Sequence, residues 1–255
     1  MAVLKGDCVV LRLIDWSETS QIAWLLSREH GRLAATAKGS KRSTPSVQAK
    51  FSGGLELATR GEAVVHTKAG RDLGNLTEWR LSDGYWQLRR DLRAFELAMY
   101  AVDVAAHLLG DHDPHPRSFD ALVHLLEAIG GGEIPSRRTA RGVLPTSLLW
   151  FQWVLIEDAG YRPVLDRDAR TGAALSAGGG AMRFSPRAGG LVDEATPDAW
   201  RVRRKTVQLL RRIAAGEATD DADAASVNRA NRLLCAYCRA ILDKQLPTMR
   251  AVMGR

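Results

Sequence analysis

The chain has 255 residues, of which 45% are hydrophobic and 25% charged, so it can form one large or two modest globular domains with a real core. Its net charge of +7 favours a polyanionic partner, either nucleic acid or an anionic surface. Three cysteines exclude a disulfide-built secreted protein, no apolar run reaches membrane-span length, and the N-terminus lacks a signal-peptide pattern, so we expect a cytoplasmic protein.

The beginning of the chain has the pattern of a small β-barrel. Short apolar runs alternate with turn residues, and Gly31 in REHGRL can adopt the positive φ of a tight connection. The runs predict five strands, at residues 8–14, 22–27, 32–37, 55–67 and 76–81. Because no long helical pattern interrupts them, we assign residues 1–80 to one closed barrel domain.

A basic stretch, AATAKGSKRSTPSVQAKF, separates the third and fourth predicted strands. It holds Lys38, Lys41, Arg42 and Lys50 with no acidic residue among them, so these charges are uncompensated within the stretch. Its glycine, proline and hydroxylated residues predict an exposed loop. Such a loop either serves solubility alone or contacts a polyanion.

Apolar residues recur at helical spacing after Ser82, which predicts a helical domain over residues 81–255. In the fourth helix, Thr196 would be the N-cap, Pro197 the first helical residue and Asp198 part of the first turn. Residues 163–196 form an irregular insertion in which MRFS and GGLVD predict a small hairpin. The predicted helices span residues 85–109, 117–132, 145–163, 195–216 and 223–246.

Signatures of catalysis and of metal binding are weak. The sequence has no GxxxxGK[ST] loop, no GxGxxG after a strand and no GxSxG turn, so no catalytic residue is assigned. Cys235 and Cys238 form a single CxxC inside a helical pattern, which favours core packing over zinc binding. Three histidines surround DHDPHP, a composition common in helix connectors: His107, His112 and His115.

Three basic clusters favour binding to polyphosphate over three merely solvated surfaces. The first cluster is the basic stretch. The other two are the segments RVRRKTVQLLRR and SRRTAR, which contain basic residues but no acidic residue. The residues predicted to contact phosphates are Lys38, Lys41, Arg42, Lys50, Arg137, Arg138, Arg203, Arg204, Lys205 and Arg211. Aromatic residues that could stack on bases are Trp16, Trp24, Phe51 and Trp79, although tryptophans in strands more often belong to the core.

Several landmarks occur in a characteristic order. The first is VVLRLIDWSETSQIAWLLSREHGRLAATAKGSKR, followed by FSGGLELATRGEAVV and LTEWRL. AGYRPVLDRD, FSPRAGGLV and a closing LPTMRAVM come later. By these segments the chain resembles the RecO family of bacterial recombination mediators over essentially its whole length.

The resemblance implies a binding protein and not an enzyme. It implies an α+β fold, with an N-terminal OB-fold barrel followed by a helical C-terminal domain. RecO proteins bind single- and double-stranded DNA, anneal complementary strands, and work with RecR to load RecA onto DNA covered by single-stranded DNA-binding protein. For this chain we therefore expect these partners, a role in DNA repair and recombination, no cofactor and no membrane attachment.

One segment departs from the family pattern. Many members carry a four-cysteine zinc site after YRP, but here Asp168 and Thr171 stand where the first cysteine pair would fall, and GGLVDEAT has no second pair. Because these side chains cannot replace thiolates around zinc, we expect no metal. The remaining zinc-ribbon-like hairpin would then be held by packing alone.

Two alternatives to DNA binding stay open. The helical domain could dock protein partners, as an interaction scaffold in which the positive charge is incidental. The other alternative is an RNA-binding OB protein, since an OB barrel does not by itself distinguish ribose from deoxyribose.

Overall fold

Most of the strands occupy the N-terminal half of the chain and most of the long helices follow them, so the fold is a mixed α+β fold. The computed structural model describes residues 2–42, 44–68, 70, 72–131, 144–176 and 181–254. The chain divides into two units, Met1–Gly131 and Gly132–Arg255, called here the first and second units.

The sheet of the first unit closes on itself. Its strands are β1 (Ala2–Asp15), β2 (Gln21–Ser27), β3 (Gly31–Ala37), β4 (Phe51–Ser52), β5 (Arg60–Thr67) and β6 (Leu73–Asp83). Their order in the sheet is β3-β2-β1-β5-β6-β4, and parallel pairing of β3 with β6, from Ala34–Leu73 to Thr36–Asn75, completes a ring of five strands. Gly31 has a φ of 69° at the β2–β3 turn, as predicted.

Alternating side chains fill the interior of this ring. In β3 every second residue is buried, the period expected of a strand with one face on a core. Phe51 and Trp79 belong to the same hydrophobic cluster as Leu25 and Val65. Two of the four candidate stacking aromatics are therefore core residues.

The five predicted strands are present, but several of their boundaries differ from the prediction: β1 begins at Ala2 and β6 at Leu73, earlier than predicted. The fourth predicted strand began at Leu55, whereas β5 begins at Arg60 because Thr59 and its neighbours form a turn. The predicted exposed loop contains a short helix, α1 (Pro45–Lys50), with Pro45 in its first turn. A proline there loses no helical hydrogen bond, so turn-rich composition did not exclude a helix.

Two longer helices complete the first unit. A 3-10 turn (Trp86–Arg90) precedes α2 (Leu92–Leu108), and α3 (Pro116–Gly130) follows. The single helix predicted over residues 85–109 is split at Asp91, whose carboxylate accepts the backbone N–H groups of Arg93 and Ala94 as an N-cap. Helix α2 packs against β1 and α3.

The second unit combines helices with a small antiparallel sheet. Its elements are α4 (Thr146–Asp158), β7 (Ala181–Ser185), β8 (Gly190–Val192), β9 (Trp200–Arg203), α5 (Arg204–Ala214), α6 (Ala224–Leu242), a 3-10 turn (Pro247–Met249) and α7 (Arg250–Met253). The sheet has the order β8-β7-β9. Helix α4 is buried nearly all round, as predicted, and its Gln152 Nε2 donates to Asn231 Oδ1 of α6 at 2.7 Å.

The prediction of a helix over residues 195–216 was wrong for residues 195–203. Residues 200–203 form β9 and pair with β7, and α5 begins only at Arg204. Trp200 stacks on Phe184 with ring centroids 6.0 Å apart, and Val202 is buried between exposed arginines, which is a strand pattern. Packing of Trp200 on Phe184 and burial of Val202 override the helix-start signal of Thr196 and Pro197.

The predicted hairpin is present as β7 and β8, but packing alone does not hold the insertion. The Asp168 carboxylate accepts backbone N–H groups of Arg170 at 2.8 Å, Thr171 at 2.9 Å and Asp193 at 2.8 Å. These bonds, that of Asp193 first, lower the pKa of Asp168 to about 2. A hydrogen-bonded carboxylate therefore joins the loop after α4 to the end of β8.

The cysteines of the CxxC motif belong to the core of the second unit. Cys235 and Cys238 are fully buried in α6, as the helical pattern predicted. Within the ranges given above, no group of three histidine, cysteine or acidic side chains is arranged to hold a metal ion. None of the helices in those ranges is long and apolar enough to span a membrane.

Candidate nucleic-acid interface

Two neighbouring turns of the first unit are tied together by hydrogen bonds. In the β1–β2 turn, the backbone N–H of Trp16 donates to the Ser20 carbonyl at 3.0 Å. From the turn after β3, Gly39 N–H donates to Ser20 Oγ at 3.1 Å, and Lys41 N–H donates to the Thr19 carbonyl at 3.1 Å. Both turns therefore form one structured rim at this end of the ring.

A groove of about 460 Å³, called here the rim groove, lies between these turns and α1. It brings together Lys38, Arg42 and Lys50, three of the four cations predicted from the basic stretch. All three side chains belong to exposed residues. Its lining residues are Trp16, Ser17, Thr19, Ser20, Thr36, Lys38, Gly39, Arg42, Ser46, Val47 and Lys50.

Lys41, the fourth cation, does not line the rim groove. Its Nζ lies 2.6 Å from Asp15 Oδ1, and this ammonium holds the pKa of the Asp15 carboxyl below its usual range. The expectation of four uncompensated charges was therefore wrong for Lys41. The acidic partner comes from the end of β1, outside the basic stretch.

A second groove, called here the seam groove, adjoins the first where β3 pairs with β6. Thr36 and Lys38 line both grooves, so Lys38 stands between them. The seam groove has a volume of about 430 Å³ and adds the basic side chains His66 and Lys68. Sequence reasoning missed these two residues, because they lie at the end of a strand with no cluster of charge around them.

The aromatic candidates differ in their surroundings. Trp16 is 66% exposed at the rim groove. Trp24 instead has two guanidinium groups over its ring, that of Arg12 at 5.4 Å and that of Arg32 at 4.9 Å from the centroid. With Phe51 and Trp79 in the core, Trp16 is the candidate that reaches a cationic groove.

The second unit has its own cationic groove, of about 570 Å³, called here the helix groove. It lies where β9 ends and α5 begins, and Arg203, Arg204, Lys205, Asp223 and Arg229 line it. Three of these were predicted as phosphate contacts. Arg229 was missed, because it follows Asp223 and Ser226 in a helix whose sequence has no basic cluster.

The other predicted contacts do not gather in these grooves. The Arg211 guanidinium donates to the backbone carbonyl of Leu165, through Nε at 2.9 Å and also through Nη2. Arg212, in the same basic run, pairs with Asp221 at 2.7 Å. Arg137 and Arg138 lie outside the described residues.

A closed ring of five strands with a cationic rim, followed by a helical unit with a second cationic groove, defines a class of α+β proteins suited to polyanions. The sequence matches the family models for recombination protein O, the N-terminal one over residues 1–85 and the C-terminal one over residues 89–250. The chain belongs to the recombination protein O (RecO) family.

Similar proteins carry one name, DNA repair protein RecO. The chain is 36% identical over 187 residues to that of Anaeromyxobacter sp. (strain K), covering 73% of this chain and 68% of the relative. It is 30% identical over 256 residues to that of Anaeromyxobacter sp. (strain Fw109-5), covering 97% and 94%. It is 29% identical to that of Cutibacterium acnes, covering 98% of both chains. These relatives indicate a DNA repair protein.

The family models and the structure divide the chain at different residues. The two family models meet between residues 85 and 89, whereas the first unit extends to Gly131 because α2 and α3 belong to it. The predicted domains 1–80 and 81–255 follow the change from strands to helices and stay a prediction.

Proposed function

We propose that this protein binds single-stranded DNA at the rim groove and anneals complementary strands during DNA repair. The observation that carries the proposal is the convergence of Lys38, Arg42 and Lys50 on one groove. Lysine and arginine displace counterions from phosphates, so three such side chains around one depression favour a phosphodiester backbone. The ring of strands would then serve as an OB-fold, a barrel that commonly binds oligonucleotides.

The path of the strand would continue from the rim groove into the seam groove. Lys38 lines both, and Lys68 lies further along. A continuous track of cations suits a flexible backbone, because a single strand can follow the surface. A duplex is stiff over this length, so its backbone adapts less to such a surface.

Annealing requires a second surface, since two strands must be held at once. The helix groove offers Arg203, Lys205 and Arg229 for that strand or for a duplex. Asp223 also lines this groove, so its four cations and one carboxylate give a net charge of +3, equal to that of the three rim-groove cations. We assign the first strand to the rim groove because the exposed Trp16 also lies there. The other DNA contacts predicted from the sequence remain proposals: Lys41, Arg137, Arg138, Arg204 and Arg211.

The proposed partners follow from membership of the RecO family. We infer that the protein acts with RecR to load RecA onto DNA covered by single-stranded DNA-binding protein, in the cytoplasm. It would act by binding and not by catalysis, without a cofactor. No residue is assigned to the contacts with RecR or with single-stranded DNA-binding protein.

A strand-annealing assay with and without single-stranded DNA-binding protein tests the proposal. Two complementary labelled oligonucleotides should anneal faster with the protein present, and they should still do so when single-stranded DNA-binding protein coats them. The variant combining Lys38→Ala, Arg42→Ala and Lys50→Ala should lose most of this acceleration. A parent protein that neither binds nor anneals DNA would contradict the proposal.

Two binding measurements, salt dependence and competition between DNA and RNA, separate the alternatives. A protein-interaction scaffold would show no salt-sensitive DNA binding, because its charge has no ligand. An RNA-binding protein would prefer an RNA oligomer over DNA of the same sequence in direct competition. We expect DNA to compete at least as well as RNA.

A further inference from the structure

Trp16 has the most exposed large hydrophobic side chain among the residues that the structure describes. It is 66% exposed, and it lies beside cations of the rim groove. Burying an indole ring is favourable, so a ring left in water at a candidate binding groove gains from any ligand that covers it. A flat, apolar ligand face would suit it best.

The backbone around Trp16 is held in place before any ligand arrives. The Trp16 N–H bonds to the Ser20 carbonyl, and Ser20 Oγ accepts the N–H of Gly39 from the neighbouring turn. Ser20 N–H donates in turn to Ser17 Oγ at 3.1 Å. A base stacking on the indole would therefore order little additional backbone, which lowers the entropy lost on binding.

Two other tryptophans in the first unit, Trp24 and Trp86, already have a cation over the ring. Arg89 lies 4.7 Å from the ring centroid of Trp86, and Arg12 and Arg32 lie over Trp24. No ring or cation–π contact to Trp16 occurs within the described ranges, although Lys38, Arg42 and Lys50 line the same groove. The face of the Trp16 ring is thus open to a ligand.

We propose that Trp16 stacks on an unpaired base and makes the rim groove selective for single-stranded nucleic acid. The cations bind the phosphates, and the indole stacks on the face of a base that is not stacked on its neighbours. Such a face is free in a single strand but covered on both sides in a duplex. This inference rests on the proposed function and adds the residue that makes the groove selective for the single-stranded form.

Fluorescence anisotropy with two matched ligands tests the inference. One is an oligothymidylate of about 16 nucleotides, and the other is an abasic oligomer with the same number of phosphates. Trp16→Ala in the full chain should weaken binding of oligothymidylate about tenfold, Trp16→Phe should weaken it less, and binding of the abasic oligomer should not change. Because the ring is exposed, the melting temperature of Trp16→Ala should match the parent.

Trp86→Ala is the matched control, since this ring is 47% exposed but lies beneath Arg89. It should bind both oligomers like the parent. Unchanged binding of oligothymidylate by Trp16→Ala, or an equal loss for both oligomers, would overturn the inference. If the triple variant at Lys38, Arg42 and Lys50 loses binding while Trp16→Ala does not, only this inference fails. A parent that binds neither oligomer contradicts the proposed function as well.

Discussion

At the scale of a single residue, Asp168 makes the stability of the second unit depend on pH. Its pKa is lowered from 3.8 to about 2, first by the Asp193 N–H and then by those of Thr171 and Arg170. The folded state therefore favours the charged carboxylate. Its stabilising effect is complete above the unfolded pKa of 3.8 and is lost as the pH falls towards about 2.

We expect Asp168→Asn to lower the melting temperature by several degrees at neutral pH. Either orientation of the amide turns Nδ2 towards a backbone N–H, so a donor faces a donor. Thermal melts followed by circular dichroism, over a pH series from neutral to acid, check this. The difference from the parent should shrink between pH 3.8 and about 2, as the parent carboxylate becomes protonated.

Asp166→Asn is the control for Asp168→Asn. Asp166 is exposed two positions earlier in the same loop, so its replacement changes the charge equally with little loss of contacts. Equal melting temperatures for the two variants at neutral pH would show that the backbone bonds to Asp168 add nothing.

The sequence shows which residues are cationic, but not which of them form an ion pair or a hydrogen bond with a distant part of the chain. Lys41 is paired with Asp15 and Arg211 with the Leu165 carbonyl, and both partners are distant in sequence. Lys38 and Lys50, by contrast, line the rim groove. Such pairing depends on the tertiary approach of two segments, which local composition does not encode.

At the scale of elements, periodicity predicted the strands and the buried helix α4 correctly, because their burial follows one regular pattern. It failed at β9, where only four residues alternate before the helical period of α5 begins. The helix groove exists because of that change: residues at the end of β9 and the start of α5 project towards the first turns of α6. In a continuous helix, the consecutive residues Arg203, Arg204 and Lys205 would instead be spread about 100° apart around the axis.

We expect Arg203→Ala combined with Lys205→Ala to slow annealing severalfold while leaving single-strand affinity nearly unchanged. The helix groove is proposed to hold the second strand, and the first strand would still bind the rim groove. Annealing rates and anisotropy measured on the same preparations separate the two effects. Arg232→Ala combined with Arg239→Ala removes the same charge from exposed positions of α6 and should anneal like the parent. A parallel loss of affinity and annealing, or equal rates for the two double variants, would contradict separate roles for the grooves.

At the scale of the whole molecule, the net charge of +7 could attract DNA without any defined site. A defined groove and a diffuse positive surface both give binding that weakens with salt. They differ in which charges matter. For a diffuse surface, the removal of any three cations has the same effect, whereas a groove depends on the cations that line it.

We therefore expect two triple variants of equal net charge to differ in their salt dependence. The combination of Lys38→Ala, Arg42→Ala and Lys50→Ala removes rim-groove cations, while Arg232→Ala, Arg239→Ala and Lys244→Ala removes exposed cations of the second unit. Each lost phosphate contact to a single strand reduces the slope of log affinity against log salt by about 0.7, so the rim variant should lose about 2. The other variant should keep the slope of the parent. Anisotropy titrations of an oligothymidylate at several salt concentrations measure both slopes. If the two variants lose slope equally, the affinity arises from the overall charge, and the rim groove is not the site where the strand binds.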